Sequence, residues 1–283
     1  MSPRTSILFI LIILTTITAV GQTLEPLDLA KKIFSKDPFP DIGMYITGEY
    51  DGRPNGQDLK NGSITQFLLL GQSSNKAVIA MTILDSTGKG LDTYLHFEKD
   101  SIWKIHAFRA LAMTGMIEQV KSELEKMTSK QVDDLIEESK KAQTEDHVVF
   151  SSREDYNYML GNTRLTLELD ENIIKHFITN KLEFERIKTA AQKELKNKSQ
   201  DDENSVKLVE NLRDDYRKLF ISSVSYGDYE LGGKCLEFSI GGMLDNTVGL
   251  LFVNDKKDLP EMNSSRVIML REIGGGWYLF KTT

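Results

Sequence analysis

The sequence predicts an α+β fold: two halves that each carry an antiparallel sheet, with amphipathic helices between the sheets and packed on them. Three observations lead there. Residues 234–283 hold four apolar runs, 234–240, 247–253, 266–273 and 277–281, separated by turn residues, which is the pattern of an antiparallel meander. Residues 77–108 hold three more runs with turns between them. From about residue 109 the apolar spacing changes to three and four, the period of a helix with one buried stripe.

The chain has 283 residues, 40% apolar and 27% charged, enough to bury a core without covalent staples. Its formal net charge of −7 and its interspersed signs argue against a broad nucleic-acid footprint. Cys235 is the only cysteine, so no intrachain disulfide forms, and a strand position predicts a small packed residue.

The first residues have the order of a secretory signal peptide. Arg4 supplies the positive charge, Ile7 to Leu14 form an unbroken apolar run, and Ala19-Val20-Gly21 place small residues where signal peptidase reads. The run is too short to cross about 30 Å of hydrocarbon. Cleavage after Gly21 is expected, with a secreted or periplasmic product whose domains are residues 22–146 and 147–283. No later run is long enough to span a membrane.

In chain order, residues 28–36 read as a short helix with Leu29, Ile33 and Phe34 on one side, ended by Asp37-Pro38. Residues 45–50 read as a short strand. Residues 48–63 are dense in turn signals, Asn55-Gly56 and Asn61-Gly62 among them. The polar side chains of this loop, Asp51, Arg53 and Asn55 above all, are candidate binding residues. Residues 64–76 receive no element. Residues 77–84, nearly all apolar, suit a central strand covered on both faces.

Residues 91–98 and 101–108 form the next hairpin. A two-residue turn at Lys99-Asp100 sets His96 opposite Trp103, so Tyr94, His96, Glu98 and Trp103 share one face. That face supplies the other binding candidates, Tyr94, His96 and Trp103. His106 falls on the opposite face, which rules out a pair with His96.

Met113, Met116, Ile117, Val120, Leu124 and Met127 make the stripe of one helix. Thr128 with Gln131 is a capping box for a second helix, and Ser151 with Glu154 is another. Alternation of Leu165, Leu167 and Leu169 with polar residues reads as a half-buried strand. Asp170 is placed as the cap of a helix carrying Ile173, Ile174, Phe177 and Ile178, and the stripe resumes at Phe184, Ile187, Ala191 and Leu195. Residues 196–205 are a polar connector, and Val209 to Phe220 make one more helix before the closing meander.

Most familiar chemistries fail on spacing. Neither Gly88-Lys89 nor Gly233-Lys234 completes a phosphate loop, and no dinucleotide fingerprint is present. Asp51-Arg53-Asn55 imitates an EF-hand start with a cation where a ligand belongs. His96, His106, His147 and His176 lack zinc spacing, and no G-x-S-x-G elbow occurs. No cofactor or metal is expected.

Residues 76–108, with their paired strands ending Ile102-Trp103-Lys104-Ile105, resemble the sheet of the NTF2-like, cystatin-like cone. That resemblance implies a curved antiparallel sheet wrapped on a helix and hosts enzymes and binding modules alike. Residues 108–127 and 170–283 are similar to exported bacterial proteins of unassigned activity. The expectation is a non-catalytic binding or interaction module, its partner a protein or small molecule. The alternatives are a small-molecule enzyme using His96 or His106 as general base in the concave face of the first sheet, and a carrier of an apolar ligand.

Overall fold

A computed structural model describes residues 24–141, 150–197, 207–226 and 234–283. The expected signal peptide and the boundary between residues 146 and 147 lie outside the described residues.

Helix α1 (Pro26–Ile33) starts with proline in its first turn, where the missing N–H costs nothing. The first sheet follows, with β1 (Ile64–Gln72), β2 (Lys76–Leu84), β3 (Gly90–Lys99) and β4 (Trp103–Arg109) in spatial order 1-2-3-4 and every pair antiparallel. Residues 45–50 are not a strand. Only Ile46 bridges to Ile105, and Gly48 then turns away at a φ of 62°, pressed against the His106 ring. The main-chain N–H groups of Thr47, Glu49 and Tyr50 donate to Ile105 and His106 and so close the β4 edge. At the opposite edge stands β1, which carries no charged residue and exposes Ile64 and Leu68.

The β3–β4 register differs from the expected one. Three residues, 100–102, make the turn. Lys99 stands opposite Trp103 and Phe97 opposite Ile105, with an irregularity between His96 and Phe97. Trp103 therefore leaves the His96 face and joins Leu95, Phe97 and Ile105 under α1, together with Ile79, Met81, Leu29 and Ile33. Burial of the indole decides the register, because a slip of one residue would turn it to the other face.

The other face of the first sheet belongs to a second core. Val78, Ala80 and Tyr94 share it with Phe177, Phe184, Ile187, Phe238, Leu250, Trp277 and Leu279. Trp277 is its centre, with the rings of Phe177, Phe184, Phe238 and Phe252 all within 6.0 Å of it, centroid to centroid.

Between the sheets run α2 (Thr114–Lys126), α3 (Ser129–Lys141), α4 (Arg153–Thr166), α5 (Asp170–Thr179) and α6 (Lys181–Asn197). The Thr128–Gln131 capping box forms as expected, with reciprocal bonds of 2.8 and 3.3 Å. The second cap is one residue later than expected: Ser152 accepts from the Asp155 N–H, and α4 begins there. That helix runs on through residues 163–166, so the expected strand is absent. Leu165 and Leu169 fit a helical spacing as well as an alternating one, and the established helix continues. Asp170 is not the cap of α5 but its first residue, following Leu169. Ile178, assigned to the stripe, is exposed.

The second sheet holds β5 (Lys207–Leu208), β6 (Ser223–Tyr226), β7 (Leu236–Met243), β8 (Asn246–Phe252), β9 (Val267–Gly274) and β10 (Trp277–Thr282), in the order 5-6-7-8-10-9. Gly274 to Gly276, all at positive φ, close the last hairpin. Residues 209–220 do not form the expected long helix. The Val209 N–H donates to Val224 of β6 at 2.9 Å and holds the chain extended, which leaves only α7 (Arg213–Arg217) after a short 3-10 turn. Cys235 is buried as expected, but it lies one residue before β7 rather than within a strand.

Candidate functional site

The loop candidates are wired to their own backbone. The Asp51 carboxylate accepts from the Arg53 N–H at 3.1 Å. Asn55 donates to Gly52 O and accepts from the Gln57 N–H, at 2.9 and 2.8 Å. Tyr50 Oη donates to Pro54 O across the cis Arg53–Pro54 bond. These bonds shape the loop, and of the three candidates Asn55 borders a hollow of about 250 Å3.

Tyr94, His96 and Trp103 are separated by the register. Trp103 lies in the α1 core, where Lys99 Nζ stands 5.3 Å from its ring. His96 is 5% exposed, and its Nε2 has no hydrogen-bond partner. Burial pushes its pKa down to about 4, against the main chain of Ile268, and nearby Arg109 and His106 push the same way. His96 and His106 border one hollow of 70 Å3 with Glu98 and Met262, which corrects the expectation that they point apart. His106 Nδ1 is 3.5 Å from Glu98 Oε2. The hollow is far below the size of a small-molecule site.

Tyr94 leads instead to a buried ionic cluster. Its hydroxyl donates to both Asp170 oxygens, at 2.9 and 3.0 Å. Lys281 Nζ reaches Asp170 Oδ1 at 2.8 Å, and the Asp170 N–H donates to Asp92 Oδ2 at 2.6 Å. Thr82 donates to the other Asp92 oxygen. Burial raises the Asp92 pKa, and the Asp170 carboxylate raises it further; Lys281, Thr82 and the Asp170 N–H oppose them. Burial also raises Tyr94 well above its ordinary value. The cluster joins β3, the N-terminus of α5 and β10. Each member is bonded inside the protein, which is the condition for burying charge at acceptable cost.

Two larger hollows lie elsewhere, one of them, of about 610 Å3, bordered by Asp155, Tyr158 and Arg217. A groove of about 750 Å3 runs between α2, α4 and the β7–β8 hairpin. Met116, Ile117, Val120, Met243 and Leu244 give it apolar walls, while Asn162, Thr163, Ser222, Ser239 and Thr247 bring polar groups. Two glycines allow close packing around it, Gly241 within the lining and Gly161 outside it. A Cβ on Gly161 of α4 would stand 2.1 Å from the Phe220 ring, and one on Gly241 of β7 would stand 2.4 Å from Thr166 Oγ1. Gly241 follows the irregularity that shifts β7 against β8. Asn162 then spans the gap, donating to Phe220 O at 2.7 Å and to Ile240 O at 2.5 Å.

One strained residue, Leu244, lines the groove, and two others lie outside its lining. Among the described residues three non-glycines have positive φ: Met113, Phe220 and Leu244. Met113 starts α2, Phe220 gives its carbonyl to Asn162, and Leu244 lines the groove. Strain of this kind costs about 1–3 kcal/mol per residue and clusters at functional sites.

Sequence reasoning missed this groove. Its signals were present in the excess width of the α2 stripe, of which only Ile117 and Leu124 are buried, and in the paired glycines 241 and 242. The ionic cluster was signalled by Asp92 and Lys281, charged residues inside otherwise apolar strands.

Among the described residues no group of three His, Cys, Asp or Glu side chains is placed to hold a metal ion, and no helix is long and apolar enough to cross a membrane. Comparison with protein-family models, with curated proteins and with solved structures gives no match.

Proposed function

We propose that the chain is an exported, non-catalytic binding module whose ligand occupies the groove between α2, α4 and the β7–β8 hairpin. The observation that carries the reading is the groove itself. Its 750 Å3 falls in the range of small-molecule sites, and its walls combine apolar side chains with a few polar groups. Export rests on Arg4, the apolar run 7–14 and the small residues before Gln22. A mature N-terminus at Gln22 on protein recovered outside the cytoplasm is the expected result; recovery with Met1 intact would count against export.

Binding is tested with Nile red, an uncharged apolar fluorophore, and the full chain. Saturable fluorescence enhancement is expected, and Val120→Arg, on an exposed turn of α2, is expected to remove it with the thermal melt unchanged. Absence of saturable binding to the unmodified protein, or full binding to the variant, would sink the groove as the site.

A further inference from the structure

We infer that the ligand of this groove is an uncharged molecule that presents hydrogen-bond donors, hydroxyl or amide N–H, beside an apolar tail. This rests on the groove being the binding site, as proposed above.

Charge comes first. The residues lining the groove include no Asp, Glu, Lys, Arg or His, in a chain that is 27% charged. A carboxylate, phosphate or ammonium entering it would lose water and find no counter-charge.

Donor economy comes second. The Asn162 amide spends both hydrogens on carbonyls, those of Phe220 and Ile240. Two carbonyls on one end fix the amide's orientation and leave Oδ1 as its free end. A hydroxyl has a single hydrogen. Thr163 spends its own on Met159 O at 2.9 Å, Thr166 on Asn162 O at 2.8 Å and Ser222 on Ser239 O at 2.9 Å, while Ser239 donates to Glu237. Thr166 is buried against Gly241, so four polar side chains of the groove are left with lone pairs and no hydrogens to offer. Gln119, Ser223 and Thr247 can still serve either role. An ether or ester oxygen set against those lone pairs gains nothing and loses its water. A hydroxyl or amide N–H finds acceptors already oriented by the fold.

The test is displacement of Nile red from the full chain by three probes: 1-monolauroylglycerol, its dimethyl ether and laurate. They share one acyl tail and differ in donors and charge. The glyceride is expected to bind at least about ten-fold tighter than either of the others, the equivalent of one or two charge-free hydrogen bonds. Equal or tighter binding of the dimethyl ether or of laurate would overturn the donor inference while leaving the groove as the site. Saturable dye binding that none of the three displaces would overturn it as well. Failure of the dye itself to bind would instead remove the reading on which the inference stands.

Discussion

Lys281 Nζ lies 2.8 Å from Asp170 Oδ1, and the two side chains are only 5% and 4% exposed. The pair ties the last strand of the second sheet to the first turn of α5, and Tyr94 and Asp92 carry the tie on to the first sheet. Removing one partner strands a buried charge. Lys281→Met is therefore expected to lower unfolding free energy by about 3–5 kcal/mol, measured by urea denaturation. The double variant Lys281→Met, Asp170→Asn is expected to lose less than the single one. A loss below about 1 kcal/mol for Lys281→Met, the range of an exposed pair, would show that Asp170 does not depend on it.

Two buried groups give stability opposite dependences on pH. The His96 pKa falls from 6.5 to about 4 on folding, so the native state binds fewer protons there. Its contribution is complete above pH 6.5 and is lost as pH falls from there toward 4, an effect of about 3 kcal/mol. Asp92 runs the other way. Its folded pKa is raised, so its contribution is full below the unfolded value and is lost as pH rises through the folded one. His96→Gln is expected to flatten the loss of stability between pH 6.5 and 4. Asp92→Asn is expected to stabilise the protein at pH 7 and to lose that advantage toward pH 4. Urea midpoints across this range decide both, and parallel pH profiles for variant and parent would contradict the assignments.

Gly161 sits where α4 meets the Phe220 ring, 2.1 Å from the place a Cβ would take. Gly161→Ala must move Phe220, whose φ of 60° is already strained, or lift α4 off the sheet. The expected cost is about 1–3 kcal/mol of unfolding free energy. A melt within experimental error of the parent protein would mean that the contact relaxes freely.

The parts of the fold that were legible in the sequence are those where one signal dominates. The closing hairpins were readable because Gly274 to Gly276 separate two apolar runs. The α3 start was readable because Thr128 and Gln131 reach each other locally. Where local signals tied, tertiary contacts decided. Residues 163–169 fit two periods, and α4 kept the helical one as far as Thr166. Residues 209–220 had a helical stripe, yet the Val209 N–H found a strand partner in Val224. The Trp103 turn was legible as a turn but not in length, because its register depends on the α1 core arriving from elsewhere in the chain. The groove was least legible of all. Its walls come from α2, α4 and the β7–β8 hairpin, and its polar side chains are oriented by carbonyls that no spacing rule predicts.

Strand β10 has one more consequence, for the order in which the chain acquires its structure. It does not add to the margin of the second sheet but fills the place between β8 and β9, and it brings Trp277 to the centre of the aromatic core and Lys281 to Asp170. Synthesis has to pass residue 282 before that sheet is continuous or the carboxylate of Asp170 is neutralised. The meander β1 to β4 pairs without it, while β8 and β9 wait for the strand that joins them, which slows closure of the second sheet.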